Sequence, residues 1–235
     1  MKRTHWTLTG LSFTIVLLSL NRLTSFTAVY LQPYEFLRWV DFNAMLPIPL
    51  ISVVLYYLLQ RQITYDSPFR NTSRYVLLMV LFISGVYLFG VGSGDHEVTN
   101  YLNIRFCEEG STESTLCNIV GFNDDEFSHY VYYLGFILLN VSLIFMEYSM
   151  PRRQQASRKD LFFILLNSLL IGLGIFANLA FEEIGLDLIF FGSVLLLALA
   201  LLWFGKRSIY ELPIIFYFAA SYSLGVIGTA LYKLL

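Results

Sequence analysis

The chain has 235 residues, of which 57% are hydrophobic and 14% are charged, and its formal net charge is −2. Soluble domains carry about 25% charged residues, so a soluble fold of this size could not hide so much apolar surface. The basic residues form short clusters between apolar runs and no basic stripe, which argues against nucleic acid as a partner and makes membrane lipid the expected surroundings.

Apolar runs of about 20 residues recur along the whole chain, and each is long enough to cross the hydrocarbon layer as an α-helix. These runs are too long and too uniformly apolar for the alternating strands of a barrel. The sequence therefore predicts an all-α, polytopic membrane bundle, a single domain over residues 1–235 with an outer loop at about 97–126. The seven predicted spans, in chain order, are 6–31, 42–59, 75–96, 127–148, 161–182, 186–204 and 212–235.

Lysine and arginine residues fall mostly on one side of this seven-span arrangement. Eleven of the 15 basic residues precede the first span or lie in the segments after the second, fourth and sixth spans. Basic segments stay in the cytoplasm, so the N-terminus is predicted to be cytoplasmic and the C-terminus outside. Thirteen of the 17 acidic residues lie on the opposite side, which includes the predicted outer loop.

The two cysteines, Cys107 and Cys117, both lie in the predicted outer loop. In an oxidising compartment such a pair favours a disulfide that closes a short polar loop, and the alternative is two unconnected thiols. The spacing and the lack of a second pair exclude a cysteine-based zinc site.

The residues that most suggest chemistry lie where the third span ends and the fourth begins. His96 ends the third span, while Asp125 and His129 open the fourth with a spacing that puts both on one helical face. Two imidazoles and a carboxylate at one membrane depth are typical of a zinc or other divalent-metal site, in which Asp125 could also activate water. The structural alternative is that the acidic residues cap the helix and His129 only hydrogen-bonds a neighbour.

Two further charged residues are candidates for a role inside the bundle. Glu182, one helical turn after Asn178, is predicted as a second catalytic carboxylate at the outer side, with helix-end solvation as the alternative. Arg22 lies within the first predicted span, where a buried guanidinium would need Glu182 or Asp95 as a partner. Otherwise its side chain extends to the membrane interface.

This layout resembles the CREST superfamily, which includes alkaline ceramidases and the progestin and adipoQ receptors. The shared features are seven spans, a cytoplasmic N-terminus, a histidine near the end of span three, and an acid and a histidine opening span four. The resemblance implies a zinc site in which His96 and Asp125 would be ligands. The family also uses a His-x-x-x-His pair in the last span, and the last span here has no histidine.

The leading functional expectation is a metal-dependent hydrolase that acts on a lipid or amphiphile in the outer leaflet. A transporter or channel stays open as an alternative, with a polar seam formed by Asn140, Asn167, Asn178 and Glu182. The lack of an internal repeat argues against many transporter folds. Nothing in the sequence argues against a third possibility, a non-catalytic assembly or receptor subunit.

Overall fold

Long apolar helices make up most of the protein. The structure is a computed structural model that describes residues 1–33, 35–65, 67–108, 114–150, 155–181 and 186–234. These residues are almost entirely helical and contain no strand. Six helical stretches are long and apolar enough to cross a membrane. The protein is therefore an all-α integral membrane protein, as the sequence predicts.

The α-helices of the described residues are numbered in chain order. They are α1 (Lys2–Leu23), α2 (Trp39–Met45), α3 (Pro47–Ile63), α4 (Ser73–Asn103), α5 (Thr115–Phe122), α6 (Ser128–Ser149), α7 (Arg158–Phe181), α8 (Asp187–Phe204) and α9 (Pro213–Leu234). Two π-helical turns follow α4 and join α5 to α6, namely Ile104–Glu108 and Asn123–Phe127. The chain therefore runs helically through Ser73–Cys107 and again through Thr115–Ser149.

The first predicted span, 6–31, has the wrong boundaries. Helix α1 begins at Lys2 and ends at Leu23, and Thr24 already has extended backbone. The Thr24 hydroxyl donates to the Leu20 carbonyl at 2.7 Å and closes the last turn. Helix α1 is not among the six stretches that qualify as spans, because hydroxyl and charged residues dilute its apolar character. The fold thus supports six spans directly, and a seventh stays a prediction.

Proline residues shape the second predicted span, 42–59. Helix α2 ends at Met45 and α3 begins at Pro47, with a non-helical Leu46 between them. Proline lacks an amide proton and has a fixed φ, so it suits the first turn of a helix and not its interior. Together α2 and α3 form one membrane-length stretch, Trp39–Ile63, which is longer than predicted at both ends.

The predicted outer loop at 97–126 is largely helical. Helix α4 continues for seven residues beyond His96, and α5 lies wholly inside the predicted loop. Residues 109–113 lie outside the described residues. Ending the third span at His96 was wrong because Glu97, a charged residue, is only 7% exposed and lies inside the bundle. A charge can stay in a membrane helix when it faces protein and has a partner.

A disulfide bond joins Cys107 to Cys117, which confirms the predicted pairing. Their Cα atoms are 5.5 Å apart, within the normal range for such a bond. The bond connects the π-helical turn after α4 to α5. It therefore joins the segment that follows α4 to the segment that precedes α6.

Glycines allow the closest helix contacts. A Cβ atom added at Gly92 in α4 would lie 2.4 Å from the Tyr132 amide nitrogen in α6, and one at Gly135 would lie 2.2 Å from the Phe89 amide nitrogen. At Gly225 of α9 an added Cβ atom would lie 2.3 Å from the Ile175 side chain of α7. Small residues at such crossings let membrane helices pack backbone against backbone. Helix α1 packs beside α3 and α7.

Buried polar groups also join the helices at the end of the bundle away from the disulfide. Glu147, fully buried near the end of α6, accepts hydrogen bonds from the amides of Ile214 and Ile215 at 2.8 Å each. The carboxylate thereby caps the start of α9. His5 of α1 contacts Asp160 of α7 at 2.6 Å. These contacts hold α1 and α9 against the rest of the bundle.

Candidate functional site

Two histidines from different spans meet near the C-terminal end of α4. His96 lies in α4 and His129 is the second residue of α6, and their ring centroids are 4.5 Å apart. Gly92 lies one turn before His96 on the same side of α4, where it faces the Tyr132 backbone. The close helix crossing at this glycine brings the two imidazoles together. Two of the predicted site residues are therefore in contact.

The carboxylate beside the histidines belongs to Asp124 and not to Asp125. Asp124 is only 2% exposed, whereas Asp125 is exposed. The π-helical turn Asn123–Phe127 lengthens the turn by one residue, so residues five apart lie on the same side. In an ordinary α-helix the residue four positions before His129 would share its face, and the sequence therefore predicts Asp125. The only signal for Asp124 is its place in an acidic run before His129, because a π turn has no recognisable sequence pattern.

Asp124 contacts both imidazoles. Its Oδ1 lies 3.1 Å from Nδ1 of His96, an ion-pair distance without the alignment of a hydrogen bond. Its carbonyl oxygen accepts hydrogen bonds from the Ser128 hydroxyl at 2.8 Å and from Nδ1 of His129 at 3.0 Å. A carbonyl oxygen can only accept, so Nδ1 of His129 carries the proton. The lone pair of the neutral ring is then on Nε2, as in a general base.

An ion pair lies beside the histidines. Arg22, at the end of α1, donates to Oε1 of Glu97 at 2.9 Å, and its Nη2 lies 3.4 Å from Nε2 of His96. The sequence favours Asp95 or Glu182 as the partner of Arg22, and the observed partner is Glu97 instead. Residues two apart on a helix face different directions, and it is Glu97 that faces α1. Glu182 lies outside the described residues.

The imidazoles border a cavity of about 150 Å³. Its polar lining includes Arg22, Ser93, His96, Glu97, His129 and Asn178. A second chamber of about 390 Å³ shares part of this wall, including Leu18, Phe89 and Tyr132, and extends as far as Leu11 and Phe191. Aliphatic and aromatic side chains predominate in the second chamber. The site thus combines a polar end with an apolar extension.

The predicted metal ligands are not grouped as a complete site. Across the residues that the structure describes, no three His, Cys, Asp or Glu side chains are arranged to hold a metal ion. His96 and His129 adjoin, but Asp125 is exposed and makes no third ligand beside them. Zinc or another divalent cation therefore stays a prediction from the sequence, as does the catalytic role of Glu182.

The described asparagines of the predicted polar seam make hydrogen bonds between helices. Asn140, fully buried in α6, bonds to tyrosines of α3 and α9. Asn167 accepts from a serine hydroxyl of α1 at 3.0 Å. Asn178 accepts from the Tyr133 hydroxyl at 2.8 Å and borders both chambers. Asn140 and Asn167 thus join helices, and Asn178 is the described member of the seam that faces the cavity.

Comparison with known proteins gives no match: no family model matches the chain, and no curated protein or solved structure is significantly similar to it. The resemblance to the CREST superfamily therefore gains no support from these comparisons. The function of the chain must be inferred from the geometry of His96, Asp124 and His129 and from the cavity beside them.

Proposed function

We propose that the protein is a membrane-embedded hydrolase acting on an amphiphile, with His129 as general base and water as the nucleophile. The observation that carries the proposal is the place of the imidazole pair at the polar end of a cavity that continues into an apolar chamber. An amphiphile in this cavity would have its polar head beside the imidazoles and its hydrocarbon chain in the chamber.

In the proposed reaction His129 accepts a proton and later returns it, while His96 positions Arg22. Water attacks the carbonyl carbon of the substrate while Nε2 of His129 accepts a proton from it. Arg22, on the wall of the same cavity, stabilises the negative charge on the tetrahedral oxygen. The bond to the leaving group then breaks, and the His129 imidazolium returns the proton to it. His96 lies between the Asp124 carboxylate and Nη2 of Arg22, and so keeps Arg22 in position.

The dimensions of the cavity suit a lipid-like substrate. Ligand sites enclose about 300–1,000 Å³, and the two chambers together fall in this range. Ser19 of α1 and Phe181 of α7 line the larger chamber and are exposed, so the chamber is open between these two helices. Since both helices carry exposed apolar side chains, this opening would face lipid and admit a membrane-borne substrate.

We further infer that α1 is a seventh span, with a cytoplasmic N-terminus and an outer C-terminus. Its 22 residues extend about 33 Å, enough for a hydrocarbon layer of about 30 Å. The basic clusters then lie in the cytoplasm and the histidines toward the outer leaflet. A cysteine introduced at Lys159 should resist impermeant thiol reagents in intact cells. Its labelling there would contradict this orientation.

Two adjacent aspartates provide a matched test of the proposed site. Purified protein in lipid nanodiscs is incubated with a panel of fluorogenic lipid esters and amides. His129→Ala should lower hydrolysis by about 100-fold or more, the usual contribution of acid–base catalysis. Asp124→Asn should also lower it, because His96 loses its carboxylate partner. Asp125→Asn, an equal change at an exposed neighbour, should retain activity.

The same assay separates the metal-dependent version of the proposal from the metal-free one. If chelation abolishes hydrolysis and Zn²⁺ restores it, a metal takes part and Asp125 becomes a candidate ligand again. Unchanged hydrolysis by folded His129→Ala protein would refute the role of the imidazole. Size-exclusion profiles and thermal unfolding of each variant establish that the loss is not caused by misfolding.

A further inference from the structure

We propose that a basic pocket at the opposite end of the bundle binds the phosphate headgroup of an anionic phospholipid. The pocket has a volume of about 570 Å³ and lies between the start of α1 and the end of α3. Lys2 and Arg3 line it from α1, and Arg61 lines it from α3. It shares no residue with the cavity beside His96. The proposal is therefore independent of the hydrolase proposal.

The positive charge in this pocket is not neutralised by the protein around it. Its lining includes no carboxylate, and none of the three cations forms an ion pair with a carboxylate in the described part of the chain. Asp160, at the same end of the bundle, contacts His5 instead. Arginine and lysine so placed favour a phosphate group, and basic pockets between membrane helices bind phospholipid headgroups.

An apolar strip on α3 leads to the pocket and identifies the ligand as a lipid. Ile51, Val54 and Leu58 are each 40% exposed or more, and they recur at helical spacing with Arg61. The strip from Ile51 to Arg61 is about 15 Å long, half of a hydrocarbon layer of about 30 Å. Acyl chains of one leaflet can lie along it while the phosphate contacts Arg61. Free phosphate would leave the strip uncovered.

The bound lipid would fasten α1 to α3. Both helices contribute cations to the pocket, and beside it Gln62 of α3 donates to the Thr7 hydroxyl of α1 at 2.7 Å. Helix α1 is the least apolar of the long helices, so the hydrocarbon layer holds it less strongly than the others. A lipid bound to both helices would strengthen the attachment of α1 to α3. Anionic phospholipid is therefore expected to raise the unfolding temperature of the protein.

The test compares two triple variants that remove the same number of positive charges from exposed positions. The pocket variant is Lys2→Gln/Arg3→Gln/Arg61→Gln, and the control, at the same end of the bundle, is Arg158→Gln/Lys159→Gln/Lys206→Gln. Each protein is placed in phosphatidylcholine nanodiscs with increasing phosphatidylglycerol. Unfolding temperature and lipid retained in native mass spectrometry are measured. The pocket variant should need at least tenfold more phosphatidylglycerol for the same stabilisation, and the control should behave as the wild type.

Two further comparisons make the proposal specific to a lipid. Leu58→Gln removes an apolar contact of the strip without changing charge, and it should also weaken phosphatidylglycerol retention. Inorganic phosphate and the soluble headgroup glycerophosphoglycerol should stabilise the wild type far less than the lipid. Stabilisation by either one equal to that by the lipid would overturn the proposal, and so would an equal response of the two triple variants.

Discussion

One added methyl group at Gly92 should separate the two helices that carry the histidines. The Cβ atom of Gly92→Ala would lie 2.4 Å from the Tyr132 amide nitrogen and 2.8 Å from the Ser128 carbonyl oxygen. Ordinary contacts begin at 3.4 Å, so the nearer atom is 1.0 Å too close. Because both obstacles are backbone atoms, no side-chain rotation relieves the clash. Helices α4 and α6 must move apart near His96.

Gly90→Ala is the matched control, because it lies on the same helix and a Cβ atom there meets nothing within 4 Å. Both substitutions gain the same helix propensity, about 1 kcal/mol, which cancels in the comparison. Overpacking in a tight contact costs about 1–3 kcal/mol. We therefore expect Gly92→Ala to be less stable than Gly90→Ala by about 1–3 kcal/mol.

The assay is reversible unfolding of both variants in mixed micelles of a mild detergent and dodecyl sulfate. A second measurement is hydrolysis of any substrate found in the nanodisc panel, which should fall in Gly92→Ala because His96 moves away from His129. Equal stability of the two variants would show that α4 and α6 do not approach as closely at Gly92 as the structure describes. The reasoning about the imidazole pair would then lose its basis.

Two further predictions concern charged residues that join helices. Arg22→Met or Glu97→Gln alone should each destabilise the protein by about 1.5–3 kcal/mol, because the remaining partner loses its charge-assisted hydrogen bond. The double variant should lose less than the sum of the two single variants. A double-mutant cycle measured by unfolding checks this, and additive losses would contradict the pairing. Glu147→Gln should lose about 1.5–3 kcal/mol, since its carboxylate accepts from the amides at the start of α9. Asp95 forms no ion pair among the described residues, so Asp95→Asn is the control variant for both predictions.

The helical class and most span positions could be predicted from the sequence because hydropathy is a local property. Residues 186–204 and 212–235 were predicted as spans, and the observed helices are Asp187–Phe204 and Pro213–Leu234. The disulfide was also predictable, since a sequence separation of 10 leaves two cysteines of one loop within reach. Each of these inferences needed only residues close in the chain.

The boundary of α1 and the identity of the central carboxylate could not be predicted in the same way. Arg22 ends α1 and still contacts the site, because its partner Glu97 comes from a distant part of the chain. Asp124 lies beside both histidines only because the chain takes a π-helical turn before α6. If the turn is assumed to be α-helical, the carboxylate predicted beside His129 is Asp125, one residue away from the correct one. A single extra residue in one turn thus decides which of two identical side chains is buried.

The chamber beside the imidazoles could not be predicted from the sequence. In a soluble protein the core is more apolar than the surface, but in a membrane protein both are apolar. Lipid tails are as apolar as leucine, so a side chain facing lipid and one facing an internal chamber have the same composition. Leu18 lines the chamber, while Leu20, two residues later on α1, is 52% exposed on the bundle surface. Hydropathy gives both the same value. What separates them is the direction of each side chain relative to α7, which depends on how Gly174 packs against Ile15. Only contacts between helices contain that information, and the candidate site is built from those contacts.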